Sequence, residues 1–195
     1  MKTRTYDFKV SKKIKKKMRS KVFLTAGHRG KGTGAVGIID EGEETIRLRN
    51  LIGEILRNRG VEVFTDRDDD CLSVVVENVN VACGVDDICI DLHFNAFNTQ
   101  AQGSEVLIPH NFTEVEEMLA QDLLTAMVCT LKTKSRGVKK ESSGQHSRLA
   151  MLSNVDCNSI IVEICFCDNT EDTLKYQTKF NDLAYAMANV ILEYV

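Results

Sequence analysis

The chain has 195 residues, 43% of them hydrophobic, and a formal net charge of −3. That is enough apolar material for one domain with a sizeable core and too little length for two. No run of about 18 apolar residues exists, so no membrane-spanning helix is expected. The N-terminus lacks the apolar stretch of a secretory signal, and synthesis in the cytoplasm is expected. Seven cysteines (71, 83, 89, 129, 157, 165 and 167) are odd in number, sit mostly in apolar runs and form no C-x-x-C pair. This pattern suits buried thiols made in a reducing compartment, and it excludes zinc-finger spacing.

The charge is unevenly spread. Residues 1–21 hold ten Lys/Arg against Asp7, so the rest of the chain carries fifteen basic and 27 acidic residues, a formal −12. The reading is a basic N-terminal arm (1–21) on an acidic domain (22–195). Val10, Ile14 and Met18 recur at helical spacing, which suits a short amphipathic helix on an anionic membrane or wall polymer; a solvated tail is the plainer account. Nucleic acid is a poor partner, because the acidic domain would repel phosphate.

Val22-Phe-Leu24 reads as a short buried strand that delivers His28 at its C-terminal end. A glycine-rich loop follows. Gly32-Thr-Gly-Ala-Val-Gly37 formally matches G-x-G-x-x-G, but Ile38-Ile39 and the acids Asp40, Glu41, Glu43 and Glu44 separate it from the next helix, so a dinucleotide site is disfavoured. A helix is expected over 45–59, stopped by Gly60 as its C′ residue. A strand over 61–64 ends in the acidic run Thr65 to Asp70, read as a solvated loop in preference to a cation site. Residues 72–84 form an apolar helix. Asp87-Ile-Cys-Ile-Asp-Leu-His93-Phe-Asn95 then repeats the opening design, an apolar strand with a histidine near its end.

Residues 103–108 read as a strand, 113–130 as a helix opened by a Thr-x-x-Glu cap, and 136–139 as a basic turn. His146 lies in a polar loop and is read as a surface residue. Ser159 to Phe166 is a strongly apolar strand that carries Glu163, a carboxylate that burial obliges to find a metal, a hydrogen-bond partner or a raised pKa. Residues 171–195 form the closing helix. Strands alternating with helices imply an α/β, single-domain, mostly parallel twisted sheet with helices on both faces. His28, His93 and Glu163 then share the C-terminal sheet edge, where such folds keep their chemistry.

These segments together resemble the zinc-dependent N-acetylmuramoyl-L-alanine amidases of autolysins and phage endolysins, over residues 22–195. The matching stretches are Ala26-Gly-His28 with Gly34-Ala-Val-Gly37, an acid near the first helix, Thr65-Asp-Arg67, Asp91-Leu-His93-Phe-Asn95-Ala96, Gly103-Ser-Glu105, Arg136-Gly-Val138, and Ile161-Val-Glu163-Ile-Cys-Phe166 with Asn169. The resemblance implies a phosphorylase/hydrolase-like sheet and a Zn²⁺ held by His28, Glu41 and His93, with Glu43 and Glu44 competing for the carboxylate position. It implies Glu163 as the catalytic carboxylate and cleavage of the amide between N-acetylmuramic acid and L-alanine in peptidoglycan. Asp91 is read either as orienting a ligand or as a cap, and Glu105 with Arg136 either as a peptide contact or as an ion pair. Asn95 and Asn169 are read as binding backbone at strand ends. Arg29 stands where the family loop often has glycine, which bears on substrate contacts near the metal. A lysin made in the cytoplasm and released to the wall, as from a phage or prophage, fits the expected lack of a signal. The competing functions are a zinc peptidase or carboxypeptidase on a similar sheet, and a wall-binding module without activity.

Overall fold

In the computed structural model, residues 20–28, 30–141 and 148–195 are described. The basic arm up to residue 19, Arg29 and His146 lie outside the described residues.

Six strands form one sheet: β1 (Val22–Ala26), β2 (Val63–Thr65), β3 (Ile88–Asn95), β4 (Ser104–Ile108), β5 (Ser135–Lys140) and β6 (Asn158–Phe166), in the order β2-β1-β3-β6-β4-β5. The first four in that order run parallel. β4 runs antiparallel to β6, and β5 follows β4. The helices are α1 (Glu41–Asn58), α2 (Leu72–Ala82), α3 (Glu114–Leu131), α4 (Ala150–Ser153) and α5 (Thr170–Ile191). The expected mostly parallel, two-sided α/β sheet is what the chain forms.

The two faces are covered unequally. On one, α1, α3 and α5 bury Leu48, Ile52, Leu123, Met127, Leu183 and Met187 against Ile90, Leu92, Val106, Ile160 and Val162. On the other, α2 and the short α4 supply a smaller cluster of Phe23, Val75, Val79, Cys89, Met151 and Ile161. Side chains alternate along a strand, so Asp91, His93 and Asn95 share the face of Cys89, and Glu163 shares that of Ile161. The smaller cluster stops short of them. The uncovered half of that face is therefore lined by polar side chains.

Helix ends follow the capping chemistry. Asp40 Oδ1 accepts from Glu43 N at 3.1 Å, which starts α1 at Glu41, four residues earlier than the apolar periodicity suggests. The Thr113/Glu116 capping box forms as expected. Glu116 also accepts Ser159 N at 2.8 Å and so ties the start of α3 to β6. Asn169 caps α5 through Glu171 N and Asp172 N, both at 3.1 Å, and its amide donates to Thr99 O at 2.9 Å.

Three expectations are corrected. Residues 136–139 are not a turn but part of edge strand β5, whose Ser-Arg-Gly-Val-Lys-Lys lacks the apolar alternation that marks a strand. The acidic run is not wholly solvated. The Asp66 side chain is only 4% exposed, accepts Ala26 N at 3.1 Å and pairs with buried Arg49 at 2.9 Å, while Arg49 also reaches Asp68. Of the cysteines, all free, Cys129 is exposed on α3 and Cys71 and Cys83 are half-buried; the other four are buried.

The Arg49–Asp66 pair holds the β2–α2 connection against β1. Asp66→Ala leaves a buried guanidinium with one partner fewer and is expected to lower the Tm by roughly 6–12 °C. Asp69→Ala, at the exposed end of the same run, should move it by no more than about 1 °C. Thermal denaturation of the two variants checks both.

Candidate active site

His28 follows β1 by way of Gly27. Glu41 opens α1 in the first turn, where the helix N-terminus favours a carboxylate. His93 lies two residues before the end of β3. The βα connection thus brings β1 and the start of α1 to the same edge as His93.

Glu41 is nearly sealed and fully engaged. Its Oε1 accepts Phe94 N at 2.9 Å and meets His93 Nδ1 at 3.0 Å. Its Oε2 accepts Ala35 N at 2.7 Å and lies 3.3 Å from His28 Nε2. One ligand atom from each of His28, Glu41 and His93 lies within 4.8 Å of the others. Of the competing acids, Glu43 turns out to Lys31 at 3.2 Å, and Glu44 accepts the Tyr176 hydroxyl at 2.9 Å. Neither joins the cluster.

The backbone around the cluster leaves room for rings and little else. A Cβ on Gly27 would stand 2.2 Å from the His93 ring. On Gly34, which has a positive φ of 79°, a Cβ would stand 2.4 Å from the His28 ring and 2.6 Å from Glu41 Oε2.

Asp91 is the partner on the far side of His93. Its Oδ2 lies 3.1 Å from Nε2, while its Oδ1 accepts the Thr25 hydroxyl at 2.6 Å. Of its two sequence-based readings the geometry matches the orienting one, since the contact turns Nδ1 toward Glu41. Burial works against charge on His93, yet Asp91 and Glu41 at its two nitrogens hold its pKa well above the ordinary value. Burial also opposes ionisation of Glu41, but the two imidazoles and Ala35 N outweigh it and hold the carboxyl far below its usual range. Two imidazoles and one carboxylate, with converging donors, suit a divalent metal of the zinc kind.

Glu163 stands directly across from His93 in the β3–β6 register and from Glu105 in the β6–β4 register. The residue is half-buried, but its Oε2 is sealed and has no hydrogen-bond partner among the described residues. Burial pushes its pKa up to about 7, with His93 opposing and Glu41, Glu105 and Asp91 adding to the rise. Glu163 lines a cleft of about 550 Å³ with Asn95, Phe97, Glu105, Arg136, Lys139 and Phe166.

Glu105 pairs with Arg136 and also with Lys139, both of them expected in a turn. Asn95 donates to Glu105 at 3.2 Å and, among the described residues, not to backbone. The signal for Lys139 was the glycine of Arg-Gly-Val-Lys, which permits a bulge that puts residues three apart on one face.

The profile described as N-acetylmuramoyl-L-alanine amidase matches residues 22–193. YqiI, an uncharacterised protein of Bacillus subtilis (strain 168), is 27% identical over 169 residues, covering 83% of this chain and 79% of that protein. An uncharacterised protein of Clostridium perfringens (strain 13 / Type A) is 24% identical over 178 residues, and there the chain spans about half of the relative, 48%. Among solved structures, the catalytic domain of the CD27L endolysin targeting Clostridia difficile superposes with a TM-score of 0.74 at 26% identity, covering 89% of this chain and 97% of that one. An N-acetylmuramoyl-L-alanine amidase from Clostridium difficile 630 shares the fold with a TM-score of 0.79 at 20% identity, covering 90% and 97%.

Two outcomes are expected. Asp91→Ala, which frees the far nitrogen of His93, should weaken zinc binding about 10–100-fold in competition with a chromophoric chelator. Glu163 ionises near 7 in the folded chain against an ordinary 4.5. Between those values the unfolded chain binds fewer protons, so stability falls as pH rises through the window and the loss is complete above it. Glu163→Gln removes that fall. In chelated protein its Tm should exceed the parent's by roughly 7–14 °C at pH 8 and match it at pH 4.5.

Proposed function

Because the chain belongs to the N-acetylmuramoyl-L-alanine amidase family, whose members hydrolyse peptidoglycan, we propose that it works as a zinc enzyme with His28, Glu41 and His93 as ligands and Glu163 as catalytic carboxylate. The bond opened is the amide between the lactyl group of N-acetylmuramic acid and the L-alanine of the stem peptide. The observation that carries this reading is the sealed Oε2 of Glu163, without a hydrogen-bond partner among the described residues, beside a His/Glu/His cluster whose donors converge within 4.8 Å.

Zinc, when bound, supplies a Lewis acid that activates water at neutral pH and polarises a carbonyl. The chain's own residues do the rest. Glu163 Oε2 takes the proton of the attacking water and returns it to the leaving nitrogen of L-alanine. Burial raises the Glu163 pKa and so suits the carboxyl to hold the proton it must pass on, while the positive charge of the loaded site would favour the ionised form needed first. Glu41 supplies its charge from a fixed position, since Ala35 N and Phe94 N each hold one of its oxygens. Asp91 keeps the His93 ring in place from behind. The cleft beyond Glu163 receives the peptide. In this reading residues 22–195 are the catalytic unit, acting on the cell wall, and the basic arm (1–21) is a contact to an anionic membrane or wall polymer.

The test is digestion of purified peptidoglycan, with the released ends identified by mass spectrometry. New L-alanine amines on intact stem peptides are expected, abolished by chelator and restored by zinc. Glu163→Gln should lower kcat at least about 100-fold with its circular dichroism unchanged. Cleavage inside the stem would reassign the chain as a peptidase, and zinc binding without cleavage as a wall-binding module.

A further inference from the structure

In a regular strand Arg136 and Lys139, three residues apart, would point to opposite faces. The register shift between Ser104 and Val106, with Gly137 at a φ of +89°, brings both onto one side. There they share a single oxygen of Glu105. Arg136 Nε donates to Oε2 at 2.7 Å and Lys139 Nζ to the same atom at 2.5 Å, while Asn95 donates to Oε1. One carboxylate thus holds two cations. The group keeps a net positive charge in a domain that is otherwise formally acidic.

Both cations are accessible. Their side chains are 33% and 34% exposed, and both line the cleft shared with Glu163. The Arg136 guanidinium lies over the Phe166 ring, 4.9 Å from its centroid, which fixes its plane. Its Nη groups make no hydrogen bond among the described residues. Glu105 already shows that the pair accommodates a planar carboxylate. Adjacent strands lie about 4.8 Å apart and β5 is two strands from β6, but both cation heads reach back to Glu105 on the strand between, which sets them roughly 5–10 Å from Glu163. An extended peptide advances about 3.3 Å per residue and covers that distance in two to three residues.

We propose that Arg136 and Lys139 form a subsite for a free carboxylate on the stem peptide, about two residues beyond the scissile amide. The chain then prefers stems whose second residue, joined onward through its side-chain carboxyl, keeps its main-chain carboxylate free over stems in which that group is amidated. This rests on the amidase reading for the direction of the peptide. With Lys139 neutralised, Arg136 and Glu105 balance and the attraction is lost, so Lys139 is the residue that decides specificity.

The test is calorimetric titration of the zinc-loaded full chain with two tripeptides, L-Ala–γ-D-Glu–L-Lys with the second residue's α-carboxyl free or amidated. The free acid should bind about tenfold more tightly. In Lys139→Met the ratio should fall to between about one and two, chiefly through weaker binding of the acid; Lys139→Gln serves if the first variant is unstable. Equal affinities in the parent, or a ratio unchanged in the variant, would overturn the proposal. So would glycerol phosphate binding more tightly than the acid, which would assign the cations to a phosphate polymer of the wall. Because the titration needs no turnover, a preserved ratio without cleavage of wall material would count against the amidase reading and not against the subsite.

Discussion

Four carboxylates, Glu41, Asp91, Glu105 and Glu163, are gathered at one half-covered face of the sheet, and the need to balance their charge organises the site. Each burial is unfavourable unless matched by hydrogen bonds or positive charge. Asp91 has the Thr25 hydroxyl and the His93 ring, and Glu105 has two cations and an amide. Glu41 has two backbone N–H groups and two imidazoles, while the sealed oxygen of Glu163 has no hydrogen-bond partner among the described residues. A dication held between the imidazoles and Glu41 answers most of this imbalance at once. It would relieve the like-charge repulsion that contributes to the raised pKa of Glu163, and it would take over the positive charge that His93 otherwise carries as a proton.

The fold serves this arrangement through an asymmetry of cover. Three long helices seal one face and give the domain its stability. Over the other face α2 and the one-turn α4 cover the strands only as far as Cys89 and Ile161. The next inward-facing positions along the same strands are Asp91, His93 and Glu163. An apolar lid would have sealed them; the partial cover leaves an open cleft beside Glu163. The reversal of β4 and β5 brings Glu105, Arg136 and Lys139 beside Glu163 from strands running the other way.

Much of this was legible in the residues. The apolar runs ending in His28 and His93, and Glu163 inside Ile-Val-Glu-Ile-Cys, are local patterns, and the α/β order follows from their alternation with helical stripes. The choice among Glu41, Glu43 and Glu44 was not local. It depended on Asp40 starting the helix four residues before its apolar stripe, which turns Glu41 inward and leaves Glu43 to solvent. The β5 strand was hidden because an edge strand with a bulge has no alternation to read, and with it went the role of Lys139. Asp66 was hidden for a similar reason. Its partner Arg49 is far away in sequence, and nothing near Asp66 distinguishes it from the exposed acids that follow.

The most direct test of a His/Glu/His metal centre at this edge is X-ray absorption at the zinc edge of the loaded protein, compared with His28→Ala and Glu41→Gln variants. The parent is expected to show two imidazole ligands and light oxygen scatterers in a four- or five-coordinate shell, with about one imidazole lost in the histidine variant. Sulfur scatterers from the cysteines, or a shell without imidazole that both substitutions leave unchanged, would contradict the account.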